Sequence, residues 1–537
     1  MADHRHILTL NNHVHKIPRP KLLESICLAI ALSATLPLIY LILRSINAET
    51  SSWLWLIRLN TLEIVWRSIS LAISVMILSF AIGIPLGIII FKSDVKWSRF
   101  WDIATVLPLV IPSYVGAYLF ISIAQPKGLG QRLLDPLIGV DKFPNLYGFT
   151  GSLIVLSILN YPYVLLTIRS AIKQLDPSEE ESARSLGLSQ LATLLRVTIP
   201  QLRPAILSGG LLVGLYVLSD FGAVSLLRYK TFTWAIYNQY EASFDRNTAA
   251  LLALFLCSVA AIFVYLESIP KSKSNYYRTS SGTARQLPLI SLGKMQLPCL
   301  VFCGIIFVVS VLIPISVLIY WLLNGIQNGE NIQLFFRPAL NSLTISILTA
   351  SLVSVAVIPI AYLSCRRKTK LSFLIEKICY TGFALPSIAV SISLVFLASK
   401  IGSPVYQSMW VLIFGCFILY LPTGLGSVKS TMLQISPSLE ESSKTLGIGG
   451  IKTSTNITLP LLRPGIIAGF AIVFLVTMKE LPAVLMLSPL DFRTLTTDIW
   501  SYSSEAFFAQ AAIPSLSLII LSAIPISIVF IKTNLKN

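Results

Sequence analysis

The chain has 537 residues, of which 55% are hydrophobic and 12% charged, with a mean hydropathy of +0.77. Soluble domains carry roughly 25% charged residues, so this composition excludes an ordinary soluble protein and calls for a bilayer as solvent. The net charge of +17 sits in short Lys and Arg clusters between apolar runs, not on one basic face with aromatics, which excludes nucleic acid as a partner and reads as positive-inside charge.

The N-terminal tail, residues 1–21, holds all four histidines (His4, His6, His13, His15) as two HxH pairs. That spacing suits a soft or borderline metal, but no Cys or acidic cluster joins it, and a disordered tail is the favoured reading. The first apolar run, near 22–43, has the basic flank of a signal peptide, with Asn47-Ala48 a loose mimic of a cleavage site. Its length and the long tail before it predict a retained helix. Further runs follow near 68–91, 102–124, 149–168, 204–226 and 248–266, then 297–323, 341–364, 378–399, 409–428, 464–487 and 508–531. Each is long enough to cross a hydrocarbon core, and none shows the period-2 alternation of barrel strands. The expectation is an all-α polytopic protein with about twelve transmembrane helices, in contact with membrane lipid. Gly83-x-Pro85-x-Gly87 fits a bent helix.

With the N-terminus inside, most of the 41 basic residues fall on the cytoplasmic side, and both termini are expected there. The seven cysteines lie in or beside apolar runs without a CxxC pair; Cys299 and Cys303 share a helix face, where packing is the reading. The polar segment 268–296 reads as a cytoplasmic linker between one half at 22–267 and another at 297–537.

Sliding the sequence by 260 positions superposes Pro177-Ser178 on Pro437-Ser438, Glu180-Glu181-Ser182 on Glu440-Glu441-Ser442, Leu186-Gly187 on Leu446-Gly447, and Leu202-Arg203-Pro204 on Leu462-Arg463-Pro464. Pro162 meets Pro422, and Asp220 meets Glu480. One offset for all of these marks a tandem repeat. With six helices per half the copies share one orientation, two parallel repeats about an axis along the membrane normal.

The repeated loops run from Asp176 to Pro204 and from Ser436 to Pro464. Asp176 or Ser436 is placed as N-cap, Pro177 or Pro437 at the first helical position, and acidic residues follow at the positive end of the helix dipole. Gly187 and Gly447 come about ten residues later, where a left-handed residue stops a helix. A second helical stretch is expected to end at Pro200 or Pro460, marking the return into the membrane. An amphipathic surface helix without a partner is the bland alternative for one such loop. Two copies at equal positions argue against it.

These loops resemble those of the permeases of binding-protein-dependent ABC importers, in which Glu-Ala-Ala is followed by three residues, Gly, nine residues and Ile-x-Leu-Pro. The matching residues are Glu181-Ser182-Ala183, Gly187 and Val197-x-Ile199-Pro200, and Glu441-Ser442-Ser443, Gly447 and Ile457-x-Leu459-Pro460. Serine replaces alanine at three of these positions. The resemblance implies that Glu180, Glu181, Ser182, Ala183 and Gly187, with Glu440, Glu441, Ser442, Ser443 and Gly447, couple the chain to a cytoplasmic ATPase dimer, and that a substrate-binding protein delivers cargo from outside. The chain lacks GxxxxGK[ST], and Gly293-Lys294-Met295 fails that pattern, so this chain is expected to bind no cofactor and to leave ATP and Mg to the partner subunit.

Ionisable groups inside spans are functional suspects, and here they are Asp220 and the adjacent Lys479-Glu480. Both acids lie 16 positions past Pro204 and Pro464, about 24 Å at about 1.5 Å per residue, which points to the outer leaflet. Either Lys479 pairs with Asp220 across the repeat axis in an outer gate, or the charges snorkel to the external interface. The segments from Ser219 to Val224 and from Lys479 to Leu485 resemble the iron(III) branch of these fused permeases; thiamine, sulfate and polyamine permeases share the architecture. Tyr237, Tyr240, Glu241 and Asp245 are placed on the outside as contacts for a delivering protein or interface aromatics, and no metal ligands are assigned, since a transport path holds its cargo weakly. A secondary transporter driven by an ion gradient is the alternative of another class; a membrane scaffold would leave the paired loops unexplained.

Overall fold

The computed structural model describes residues 21–46, 48, 50–126, 128–138, 146–173, 175–241, 246–273, 289–330, 335–367, 369–402 and 405–534. The N-terminal histidines, Asp245 and the middle of the linker lie outside the described residues. Within them the regular structure is helix throughout, apart from one backbone bridge between Ser93 and Ile290 that pins the end of the linker to the first half.

In the first half α1 (Lys21–Ile46), α2 (Thr50–Ile57), α3 (Leu59–Lys92), α4 (Ser98–Val110), α5 (Ser113–Ala124) and α6 (Leu129–Ile138) are followed by α7 (Phe149–Ile172), α8 (Pro177–Ser185), α9 (Gln190–Ser219), α10 (Gly222–Leu226), α11 (Phe232–Glu241) and α12 (Arg246–Lys273). The second half comprises α13 (Gly293–Gln327), α14 (Phe336–Arg366), α15 (Lys370–Ala384), α16 (Ser387–Ile401), α17 (Met409–Gln434), α18 (Pro437–Thr445), α19 (Ser454–Met478), α20 (Pro482–Leu487), α21 (Leu495–Ser504) and α22 (Phe508–Asn534). Among the described residues ten helices are long and apolar enough to span a bilayer, and twelve spans result when each of two bent pairs is one crossing. α12 continues as helix to Lys273, into the segment read as a linker.

Those bent pairs correct the expectation of one helix for each of the runs near 102–124 and 378–399. The turn from α4 to α5 is 90° and that from α15 to α16 is 103°. A proline causes each: Pro112 and Pro386 stand before the second helix of the pair, and Ile111 and Leu385 are held extended at ψ 120° and 105°. Proline lacks an N–H and disfavours the helical region for the residue before it.

Pro200 and Pro460 do the opposite of what the sequence reading expected. The helix does not stop there; it runs through a π turn at Leu194–Thr198 or Ser454–Thr458 and on into the membrane helix. A third π turn, Val308–Leu312, likewise ends two residues before a proline, Pro314. Proline clashes with the carbonyl four residues back, which in each case lies within the wider π turn, and the backbone continues without a break.

The halves are contiguous in sequence but interlocked in space. The first helix of each packs on the other: the Ser393 hydroxyl on α16 donates to the Pro37 carbonyl on α1 at 2.9 Å, and Phe307 on α13 meets Phe100 and Trp101 on α4 edge-on at 5.7 and 6.4 Å. The division at 267/297 therefore separates sequence repeats rather than packed bodies. Little of α13 is buried along its apolar length, surface suited to membrane lipid.

Close helix approach inside each half relies on glycine. A Cβ at Gly209 on α9 would lie 2.9 Å from the backbone Cα of Val164 on α7, whereas one at Gly426 on α17 would meet nothing within 4 Å. Gly209→Ala is expected to destabilise the detergent-solubilised protein by about 1–3 kcal/mol, with Gly426→Ala neutral or slightly stabilising; thermal unfolding of both variants checks the contrast.

Candidate functional site

The repeat loops form as their residues dictate. Asp176 accepts from the Ser178 N–H at 3.0 Å and Ser436 from the Ser438 N–H at 3.4 Å, so both cap their helices, and α8 and α18 start at Pro177 and Pro437. Gly187 and Gly447 are left-handed, at φ +89° and +77°. The next N–H reaches back around each to the Ala183 or Ser443 carbonyl, at 3.2 and 3.1 Å, which closes the helix. Beside these glycines Leu186 and Leu446 are 85% and 80% exposed, an apolar tip on each loop of the sort that seeks a partner.

The coupling residues named from sequence divide into two faces. Glu181, Ser182 and Gly187 are exposed, as are Glu441, Ser442 and Gly447; Glu180, Ala183, Glu440 and Ser443 are buried. Glu180 and Glu440 therefore do not present their carboxylates outward. The Lys92 ammonium, at the end of α3, donates to Glu180 at 2.7 Å, and the Arg366 Nε, at the end of α14, donates to Glu440 at 3.0 Å. Thr198 and Thr458, the last residues of the π turns, donate to the same carboxylates at 2.8 and 3.2 Å. Removing one partner of such a buried pair costs about 3–5 kcal/mol, because the other charge is stranded.

A second pair repeats alongside. Arg169 on α7 meets Asp102 on α4 at 2.7 Å, and Lys429 on α17 meets Glu376 on α15. Sequence reasoning missed these partners because the repeat has two registers. Lys92 and Arg366, Asp102 and Glu376, and Pro112-Ser113 and Pro386-Ser387 are each 274 apart, not 260. A second sliding offset finds them all.

Asp220, Lys479 and Glu480 line a cavity of about 210 Å³ between the halves, larger than the roughly 150 Å³ that takes a benzene molecule. Its walls are the kinks after α4 and α15 and the breaks after α9 and α19. The apolar runs at 204–226 and 464–487 are thus not single helices. Asp220 is extended, at ψ 130°, and its carboxylate accepts from the Ala223 N–H at 3.0 Å, capping α10. Glu480 accepts from the Ala483 N–H at 3.1 Å and caps α20, whose first residue is Pro482. Ser113 and Ser387, its repeat mate, line the same cavity.

The structure corrects both readings of Lys479. It does not snorkel, since it turns into the cavity, and among the described residues no ion pair joins it to Asp220. Its ammonium donates to the Leu109 carbonyl at 2.9 Å, on the kink of the other half. The sequence reading also missed the tyrosines. The Tyr420 hydroxyl donates to Glu480, Tyr163 and Tyr216 stack at 4.4 Å, and the buried Tyr114 hydroxyl has no partner among the described residues. Tyrosines are common in spans, and nothing in their spacing singled these out. With Asp220 and Lys479 held by separate partners, the shifts in melting temperature from Asp220→Asn and Lys479→Met are expected to add in the double variant; thermal unfolding of the three proteins checks this.

Comparison with known proteins agrees with this architecture. Residues 79–269 and 355–532 each match the family described as binding-protein-dependent transport system inner membrane component. The chain is 32% identical over 514 residues to the Fe(3+)-transport system permease protein FbpB 2 of Haemophilus influenzae, covering 94% of this chain and 97% of that protein. It is 22% identical to the ferric transport system permease protein FbpB of Actinobacillus pleuropneumoniae, covering 86% of this chain and 70% of that protein. Similarity to the molybdenum transport system permease protein ModB of Escherichia coli, at 24% identity, takes in 37% of this chain and 89% of that one. Two family domains in tandem, ten to twelve spans and a full-length permease relative lead to one conclusion: this multi-pass inner membrane chain belongs to the binding-protein-dependent transport system inner membrane components, as a fused permease of two halves.

Proposed function

We propose that the chain is the conducting subunit of an ATP-driven importer for iron(III), with the cavity between its halves on the cargo path. The observation that carries the reading is the cavity lining: two carboxylates against one ammonium, surrounded by phenol and hydroxyl oxygens, with neither His nor Cys among the lining residues. Hard cations prefer such oxygen donors. An oxyanion such as molybdate or sulfate would meet two like charges in a low-dielectric site. The relatives named for ferric transport match along most of the chain, which supports the same cargo.

A separate ATPase dimer hydrolyses ATP with Mg on the cytoplasmic side, where both termini lie, and a substrate-binding protein delivers cargo outside. The exposed faces of α8 and α18, with Glu181, Ser182, Glu441, Ser442 and the tips at Leu186 and Leu446, seat on that dimer. Two matched loops on one chain suit two equivalent grooves.

Proteoliposomes holding the chain, its ATPase and candidate binding proteins are expected to take up labelled iron(III) in preference to molybdate, sulfate and thiamine. Asp220→Asn with Glu480→Gln is expected to lower that uptake by about tenfold, or about 1.4 kcal/mol. Faster uptake of molybdate or sulfate than of iron would end the iron reading. Glu181→Lys with Glu441→Lys is expected to release the ATPase in co-purification. Uptake that survives ATP depletion but stops with an uncoupler would replace the ATP-driven reading with a gradient-driven one.

A further inference from the structure

We infer that Glu180 and Glu440 are positioning residues that transmit movement of the docking helices to the cavity, each carboxylate tying a docking helix to two membrane helices at once. The inference rests on the reading that α8 and α18 seat on an ATPase, and is independent of the cargo.

Each carboxylate collects three elements at one buried point. In the first half these are α8, through Glu180 itself; the end of α3, through Lys92; and the root of α9, through Thr198. In the second they are α18 through Glu440, the end of α14 through Arg366, and the root of α19 through Thr458. Arg366 adds a bond to the Ile435 carbonyl just before α18, at 3.0 Å. All six side chains are buried or nearly so. Their neighbours Glu181 and Glu441 are exposed, so one acidic pair per loop is split between an outer face for a partner and an inner face for the membrane helices.

From Thr198 the helix runs without interruption to Ser219, and from Thr458 to Met478, each ending at the break that lines the cavity. That is about 30 Å of helix at about 1.5 Å per residue. A continuous helix held at its root by a charge-assisted hydrogen bond is displaced as a body when the root moves. The far end is then the break capped by Asp220 or Glu480. The π turn that ends at Thr198 is the compliant joint, since its hydrogen bonds are the ones already out of α register.

The test uses the full chain in complex with its ATPase in lipid nanodiscs, with Ser219→Cys as a thiol reporter in the cavity and the same chain lacking it as background. Trapping with ATP and vanadate is expected to change the reporter's labelling rate by about tenfold. In the Glu180→Gln, Glu440→Gln variant, ATPase co-purification and ATP hydrolysis are expected to persist while that response largely disappears. Glu180→Lys with Lys92→Glu, in an otherwise unchanged chain, is expected to retain it. Thr198→Val with Thr458→Val keeps both ion pairs, and with them the fold, yet cuts the link to α9 and α19; it is expected to reduce the response as well. An undiminished response in the Gln and Val variants overturns the proposal, as does loss of the ATPase from the Gln variant, which would make these carboxylates part of the docking surface. Capture of the ATPase by the parent chain tests the docking reading separately, so a normal response in the variants of a captured complex counts against the linkage alone.

Discussion

In a hydrocarbon solvent every backbone N–H and C=O must find a partner within the protein, and a helix that breaks at membrane depth leaves several without one. This chain breaks its helices on both sides of one cavity. The breaks after α9 and α19 are closed by Asp220 and Glu480, whose carboxylates accept the N–H groups of the short helices that follow. The charges that line the cavity are therefore also what makes the cavity structurally affordable, and Ser113 and Ser387 at the kinks line it beside them.

The two halves solve this problem with equivalent positions but unequal residues. Asp220 faces Glu480 in the repeat, Lys92 corresponds to Arg366, and Asp102–Arg169 corresponds to Glu376–Lys429. Arginine and lysine are not interchangeable where a planar fork can make extra bonds, and Arg366 uses its fork to reach the Ile435 carbonyl as well as Glu440. Lys479 falls opposite Ser219, so only the second half sends an ammonium across to the kink of the first. The cavity is consequently pseudo-symmetric in backbone and asymmetric in charge.

The exchange of α1 and α13 between halves gives the assembly a second property. Ser393 bonds to Pro37, and Phe307 packs on Phe100 and Trp101, so each half clasps the other through its first helix. The cavity lies between halves that these contacts hold together. Below it, the loops that carry Leu186 and Leu446 are joined to the membrane helices through buried ion pairs, not through exposed contacts alone.

Much of this was legible in the residues themselves, because the signals involved are local. Apolar runs of membrane length, the Pro-first helices α8 and α18, the left-handed stops at Gly187 and Gly447, and a repeat at a constant offset all follow from periodicity and capping chemistry. Family membership is consistent with that reading. What the chain order could not show is how residues far apart meet. The partners of Glu180 and Glu440 lie 88 and 74 positions away, and the change of register between 260 and 274 hid their symmetry. Proline reads alike as a break, a kink or a residue tolerated behind a π turn, and only packing decides among the three: it bent the chain at Pro112 and Pro386 and let it continue through Pro200 and Pro460. The fate of Lys479 was decided in the same way, by which carbonyl the tertiary structure brought within reach of its ammonium.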